Sequence, residues 1–160
     1  MDMRTIVIIS IGIAILSFSS SIYVYASDVA AISSVELRMQ KIDISKPTLT
    51  NATFIIQMNL SNPTDRTIQG LSSIFDIYIG QNLIGSGSFQ NVNISPKSYT
   101  VHSVTTIITY IGLAHTAIDI IDNLLEGQQT TLNIEGTMTA YVFFGLSQTT
   151  QEYTATITTS

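Results

Sequence analysis

The chain has 160 residues, of which 45% are hydrophobic and only 11% charged, with a formal net charge of −5; an average soluble domain is about 25% charged. The absence of cysteine excludes a disulfide framework, a thiolate zinc site, an iron–sulfur cluster and a cysteine nucleophile. Six basic residues are too few to neutralise a run of phosphates, so nucleic acid is not expected as a partner.

No charge falls between Thr5 and Ala26. As a helix, a run of that length rises roughly 33 Å, enough for the ~30 Å hydrocarbon layer of a bilayer. Tyr23 and Tyr25 stand at its outer end, as in an aromatic belt. Arg4 precedes the run, while Asp28 and Glu36 follow it, a bias that places the N-terminus in the cytoplasm and the remainder outside. Two readings of residues 1–27 stay open. One is a signal-anchor kept as a single-pass transmembrane helix. The other is a signal peptide removed near Ala26, with Ile6–Leu16 as its apolar region and Ser17, Ser19, Ser20 and Ser21 after it. Both export the rest of the chain. A buried helix of a soluble core is a third reading, unusual for a chargeless stretch of this length. Residues 28–34 read as a short spacer and 35–160 as one domain.

From Val35 the pattern has period two, the mark of half-buried strands. Val35, Leu37 and Met39 alternate with Glu36, Arg38 and Gln40; Ile42 and Ile44 then carry the apolar phase on even numbers. That one-residue shift predicts a bulge or sheet switch near Gln40–Lys41. Phe54, Ile56, Met58 and Leu60 share one face of the next strand, and Asn62-Pro63 ends it, since proline removes an amide donor and forces the preceding residue out of the helical region. Phe75, Ile77 and Ile79 mark a strand that turns at Gly80-Gln81-Asn82 into Leu83–Phe89 as a tight hairpin. Ser95-Pro96-Lys97-Ser98 is another turn, before the β-branched run Tyr99–Tyr110.

One segment has helical period. Leu113, Ala114, Ala117, Ile118, Ile121, Leu124 and Leu125 recur at spacings of three and four, Asp119, Asp122 and Glu126 lie on the other side, and Gly127 supplies the stop. Two strands follow: Leu132, Ile134, Met138, Ala140, Val142 and Phe144 form one apolar row, broken at Gly136, and Tyr153, Ala155 and Ile157 form the next. About seven antiparallel strands and one helix predict a mainly β, fibronectin- or immunoglobulin-like β-sandwich.

Taken in order, these stretches resemble a known family. They are Val35-x-Leu37, Leu49-Thr50-x-Ala52-Thr53-Phe54, Leu60-x-Asn62-Pro63, Ile77-Tyr78-Ile79-Gly80-x-x-Leu83-Ile84-Gly85-x-Gly87 and Leu132-x-Ile134-x-Gly136. Together they look like the late embryogenesis abundant type 2 family, also called the WHy (water stress and hypersensitive response) domain. The resemblance covers about residues 33–158. It implies a fibronectin-like sandwich with one helix, a link to desiccation and other stress tolerance, and no established catalytic residues. Plant relatives of this family include soluble forms and forms anchored by one N-terminal span; the second arrangement is similar to this chain. Asn62, Pro63, Gly80, Gly85 and Gly136 then have structural roles in turns and hairpins.

Residues that carry chemistry are few. His102 and His115 are the two imidazoles, and His115 is one helical turn from Asp119, an ordinary surface pair without a third metal ligand. Gly85-Ser86-Gly87 is not the Gly-x-Ser-x-Gly elbow of a hydrolase and falls in a strand. No cofactor and no enzymatic activity are expected. Three sequons stand out at Asn51, Asn59 and Asn93; Asn51 and Asn59 share the polar face of one strand, and all three are candidates for N-glycosylation in an exported domain. The expected function is that of a non-catalytic extracytoplasmic sandwich, a protective or binding module associated with stress, partnered by the membrane through its helix. The alternative is a cell-surface structural or adhesion subunit that works by strand addition.

Overall fold

The computed structural model describes residues 2–45, 48, 50–110, 113 and 115–159, and of residues 45, 115–117 and 120 the backbone alone. Helix α1 (Met3–Ser33) takes in the whole chargeless run and is unbroken for 31 residues. The most apolar window of this helix is not buried anywhere in the protein, so it is not a core helix, and the helix is long and apolar enough to cross a membrane. Its serines do not interrupt it. The hydroxyls of Ser17, Ser20 and Ser21 donate to the carbonyls of Ile13, Leu16 and Ser17, one turn back. Such bonds satisfy the donors of these three hydroxyls within the helix itself.

Residues 28–33, expected to be a spacer, continue the helix. The reason is burial. Ala31 and Ile32 are each only 2% exposed, and Val29 packs beside them against the sandwich. Burying an isoleucine contributes roughly 1.5–3 kcal/mol, more than the helix propensity of any residue there. The chain therefore leaves the helix only at Ser34, whose amide still bonds to the carbonyls of Ala30 and Ala31.

Among the described residues, seven strands follow: β1 (Glu36–Ser45), β2 (Asn51–Asn62), β3 (Ile68–Ile79), β4 (Asn82–Ile94), β5 (Ser98–Thr109), β6 (Thr131–Val142) and β7 (Ser147–Thr158), with helix α2 (His115–Leu125) between β5 and β6. They form two antiparallel sheets, ordered β1-β2-β5 and β4-β3-β6-β7. The fold is the predicted mainly β sandwich. Alternation is cleanest in β2, where Ala52, Phe54, Ile56, Met58 and Leu60 are fully buried and every intervening residue is half-buried. In β1 the register slips between Met39 and Lys41, at the place where the apolar phase changes parity. Ile79 pairs with Asn82, so Gly80-Gln81 is a two-residue turn; Gly80 takes φ +60°, which a glycine adopts without strain.

The first half of β3 was not predicted. Its register shifts twice between Ile68 and Ser73, around Gly70, so its buried residues Ile68, Leu71, Ser73 and Phe75 do not keep one parity. Phe144, counted with the apolar row of β6, lies outside it. The strand ends at Val142 and residues 143–146 form the turn into β7.

The helices close opposite ends of the sandwich. The C-terminal turns of α1 plug the end that holds the starts of β1, β3 and β7. At the other end α2 buries Ile121 and half-buries Ile118 and Leu124, while Asp119, Asp122 and Glu126 stay exposed. It stops at Gly127, where the Gly127 amide bonds to the Leu124 carbonyl and the Gln128 amide to the Asn123 carbonyl. Leu49 of the resemblance motif and Ala114 of the helical pattern lie outside the described residues.

Candidate functional site

The most organised polar cluster joins α1 to the sandwich. Asp28 sits on the last turns of α1, one turn from the buried pair Ala31 and Ile32. Its Oδ1 accepts hydrogen bonds from Arg66 Nε at 2.9 Å and Arg66 Nη2 at 2.6 Å, and its Oδ2 accepts from the backbone amide of Phe143 at 2.8 Å. Both oxygens are thus used, on two different loops. The Asp28 side chain is 16% exposed and that of Arg66 38%, so the pair is screened less than a surface ion pair.

Arg66 is delivered by the loop between β2 and β3, and Asn62 sets that loop. Asn62 is buried, and its amide donates to the carbonyls of Arg66 at 2.7 Å and Ser95 at 3.0 Å. Its Oδ1 accepts from the amide of Thr64 at 3.1 Å and the hydroxyl of Thr64 at 2.7 Å. One side chain therefore fixes the β2–β3 loop against the β4–β5 loop. Lys97 adds a bond from its amide to the Thr64 carbonyl and an exposed ion pair with Asp65, which raises the Lys97 pKa. A cleft of about 280 Å³ opens beside this junction, lined by Asp28, Asp65, Arg66, Tyr141 and Phe144 among others.

The turn reached by Asp28 is unusual. Phe143 and Phe144 have φ of +52° and +57°, in the left-handed region that bulky side chains avoid. Their rings pack against each other, with centroids 5.6 Å apart. Phe143 also lines a small apolar hollow with Ser21, Ile22 and Tyr25 of α1.

The residues singled out in the sequence are dispersed. His102 is half-buried and tilts against Phe89, with ring centroids 5.4 Å apart. The side chain of His115 lies outside the described residues, so its pairing with Asp119 is not described. Among the described residues no group of three or more His, Asp or Glu is placed to hold a metal. Ser86 is exposed in β4, and its carbonyl accepts from Thr106 Oγ1 at 2.6 Å, a link between the two sheets. Of the sequons, Asn93 is exposed, though its Oδ1 accepts from the Gly70 amide at 2.9 Å. Asn51 is half-buried at the start of β2, and Asn59 is half-buried in mid-sheet with its Oδ1 shut away from solvent. Pro63 is exposed in the turn after β2. The register places Gly136 of β6 between Phe75 and Tyr153; a Cβ there would lie 2.5 Å from the Ile74 carbonyl oxygen. A Cβ on Gly85 would meet Ile108 at 3.1 Å.

Two features were missed. The Asp28–Arg66 pair has no local signal, because its members are 38 residues apart. Tyr153 hydrogen-bonds across β6 to buried Ser73, with the two oxygens 2.8 Å apart. Burial pushes its phenol up to about 12, against the opposing pull of that bond.

No protein-family model matches the chain, and no curated protein matches its sequence. Solved structures do match. The chain is similar to the solution structure of AT1g01470 from Arabidopsis thaliana, with a TM-score of 0.56 and 13% identity over 74% of this chain and 76% of that one. It is also similar to the solution structure of a candidate late embryogenesis abundant (LEA) protein, At2g46140.1, with a TM-score of 0.52 and 11% identity over 94% of this chain and 86% of the other. At these identities the likeness is one of fold. The sandwich resembles that of LEA-like structures, as the motif order implied.

Proposed function

We propose that this chain is a non-catalytic, membrane-anchored extracytoplasmic sandwich acting as a stress-associated protective or binding module. The observation that carries the reading is the continuity of α1. An apolar helix of bilayer length runs without a break into the sandwich and is fastened there by Asp28 and by buried Ala31 and Ile32. A helix so built into the domain suits an anchor that is kept. The likeness to an LEA structure supports the protective role by analogy of fold, which carries less weight than a site would. The half-buried and exposed polar positions of the strands offer Ser, Thr, Asn and Gln to water or to a partner.

The test is made in vesicles. The full chain is reconstituted into phosphatidylcholine liposomes loaded with a fluorescent dye, then dried and rehydrated. Greater dye retention than in vesicles carrying an unrelated single-pass protein at equal mass is the expected result. Equal leakage counts against protection. Extraction of the native protein from membranes by alkaline carbonate, or a mature N-terminus at Ser27, counts against the anchor.

The adhesion alternative keeps one point in its favour. β7 is an edge strand of 12 residues with threonine at positions 149, 150, 154, 156 and 158. A purified chain that stays monomeric in detergent at high concentration argues against it.

A further inference from the structure

The β6–β7 turn combines three features that the anchor alone does not require. First, it is apolar and exposed: Phe144 is 80% exposed and Leu146 78%, and residues 143–146 carry no charge. Second, Phe143 and Phe144 sit at positive φ, where Gly or Asn would be comfortable. The conformation turns the Phe144 ring out of the sandwich rather than into it. Third, the turn lies against α1. The Phe143 amide is held by Asp28, and the Phe143 ring shares a hollow with Ser21, Ile22 and Tyr25. Asp28 and Ser21 are two turns apart on the helix, about 10 Å of rise. The turn therefore extends down the helix to the outer end of the chargeless run, level with Tyr23 and Tyr25.

We propose that this turn is a second membrane contact, in which Phe144 and Leu146 enter the interfacial layer of the same bilayer that α1 crosses. The inference rests on the anchored reading. Its occupant is lipid because Phe143, next to exposed Phe144 in the turn, shares an apolar hollow with Ile22 and Tyr25, themselves exposed on α1. Aromatic and aliphatic tips beside a span are suited to the headgroup boundary. The opposite end of the domain presents Gln81, Asp119, Asp122 and Glu126 around exposed Leu83 and Leu125, which adjoin no apolar span. Asp28 acts as the positioning residue, since it fixes the backbone of the turn relative to the helix.

The chain has no native cysteine, so single-cysteine probes are clean. Full-length Phe144→Cys, Leu146→Cys, Tyr23→Cys and Gln81→Cys are labelled with a polarity-sensitive fluorophore and reconstituted into phosphatidylcholine vesicles. Some vesicles carry a lipid quencher at a shallow acyl position and others at a deep one. The expected result is a blue-shifted emission at 144 and 146 with most of it lost to the shallow quencher, while Gln81→Cys is unaffected. Each of these positions is exposed, so the labels do not disturb the core. Quenching at 23 without quenching at 144 and 146 overturns this proposal and leaves the anchor standing; the turn would then be free for a protein partner. No quenching at 23 overturns both.

Discussion

The carboxylate of Asp28 and the guanidinium of Arg66 meet across 38 residues of sequence, with two nitrogens of Arg66 within 2.9 Å of one oxygen of Asp28. The other oxygen holds the Phe143 amide. Removing the carboxylate leaves both donors without it. Asp28→Ala is expected to destabilise the domain by about 2 kcal/mol, and Asp28→Asn by about half of that, because an amide oxygen can still accept one bond. Arg66→Met should cost less than Asp28→Ala, since Arg66 is the more exposed partner. Thermal unfolding of the full chain in detergent, followed by circular dichroism, measures all three. An unchanged midpoint for Asp28→Ala would show that the helix is not fastened there.

Asn62 invites a sharper comparison. It donates to two loop carbonyls and accepts from Thr64 while almost fully buried. Asn62→Ala should cost about 2–4 kcal/mol, from several buried groups left unpaired. Asn62→Asp should be as damaging at pH 7, because a carboxylate would face the carbonyls of Arg66 and Ser95. Denaturant midpoints compare the two. If Asp were tolerated there at neutral pH, the donor role assigned to the amide would be wrong.

Much of this architecture is written locally. Alternation in residues 52–60, the parity change at Gln40–Lys41, the Gly80-Gln81 hairpin and the Gly127 stop all depend on neighbours in sequence, and all are found in the fold. What escaped depends on distant contacts or on irregular backbone. The slips around Gly70 scramble the parity of β3, so its first half has no period to read. Residues 28–33 carry no strong helix signal and stay helical because the sandwich buries Ala31 and Ile32. Phe144 fits the parity of β6, and only the positive φ of residues 143 and 144 shows that the strand has already ended. The junction at Asp28 was illegible for the same reason: its partners come from loops that only folding brings together.

Tyr153 gives a pH signature. Its phenol is raised from the ordinary 10 to about 12 by burial. The raised group keeps its proton in the fold after the unfolded chain has released its own. The stability that this provides is complete below pH 10 and is lost as the pH rises from 10 toward 12. Absorbance titration near 295 nm should show a component ionising near pH 12 that Tyr153→Phe removes and Tyr110→Phe leaves in place. The same substitution leaves the Ser73 hydroxyl unpaired and should cost about 1 kcal/mol at pH 7. Tyr110, also raised by burial and by Asp122, titrates above the ordinary range as well. Loss of the late component from Tyr110→Phe alone would move the assignment away from Tyr153.

Asp76 and Glu135 face each other directly across β3 and β6. Like charges in that position destabilise a sheet. Asp76→Asn is therefore expected to stabilise the domain by about 0.5 kcal/mol at low ionic strength, with the gain shrinking as salt is added. A gain that persisted in 1 M salt would indicate a cause other than repulsion.

A helix that enters its domain without a hinge removes a degree of freedom that a flexible stalk would keep. The sandwich cannot swivel about α1, so its long axis keeps one inclination to that helix. Strands of 12 residues place the α2 end about 40 Å from the junction. Whatever meets that end encounters it at a set distance from α1 and in a set attitude to it, with the entropy of orientation already surrendered when the chain folded.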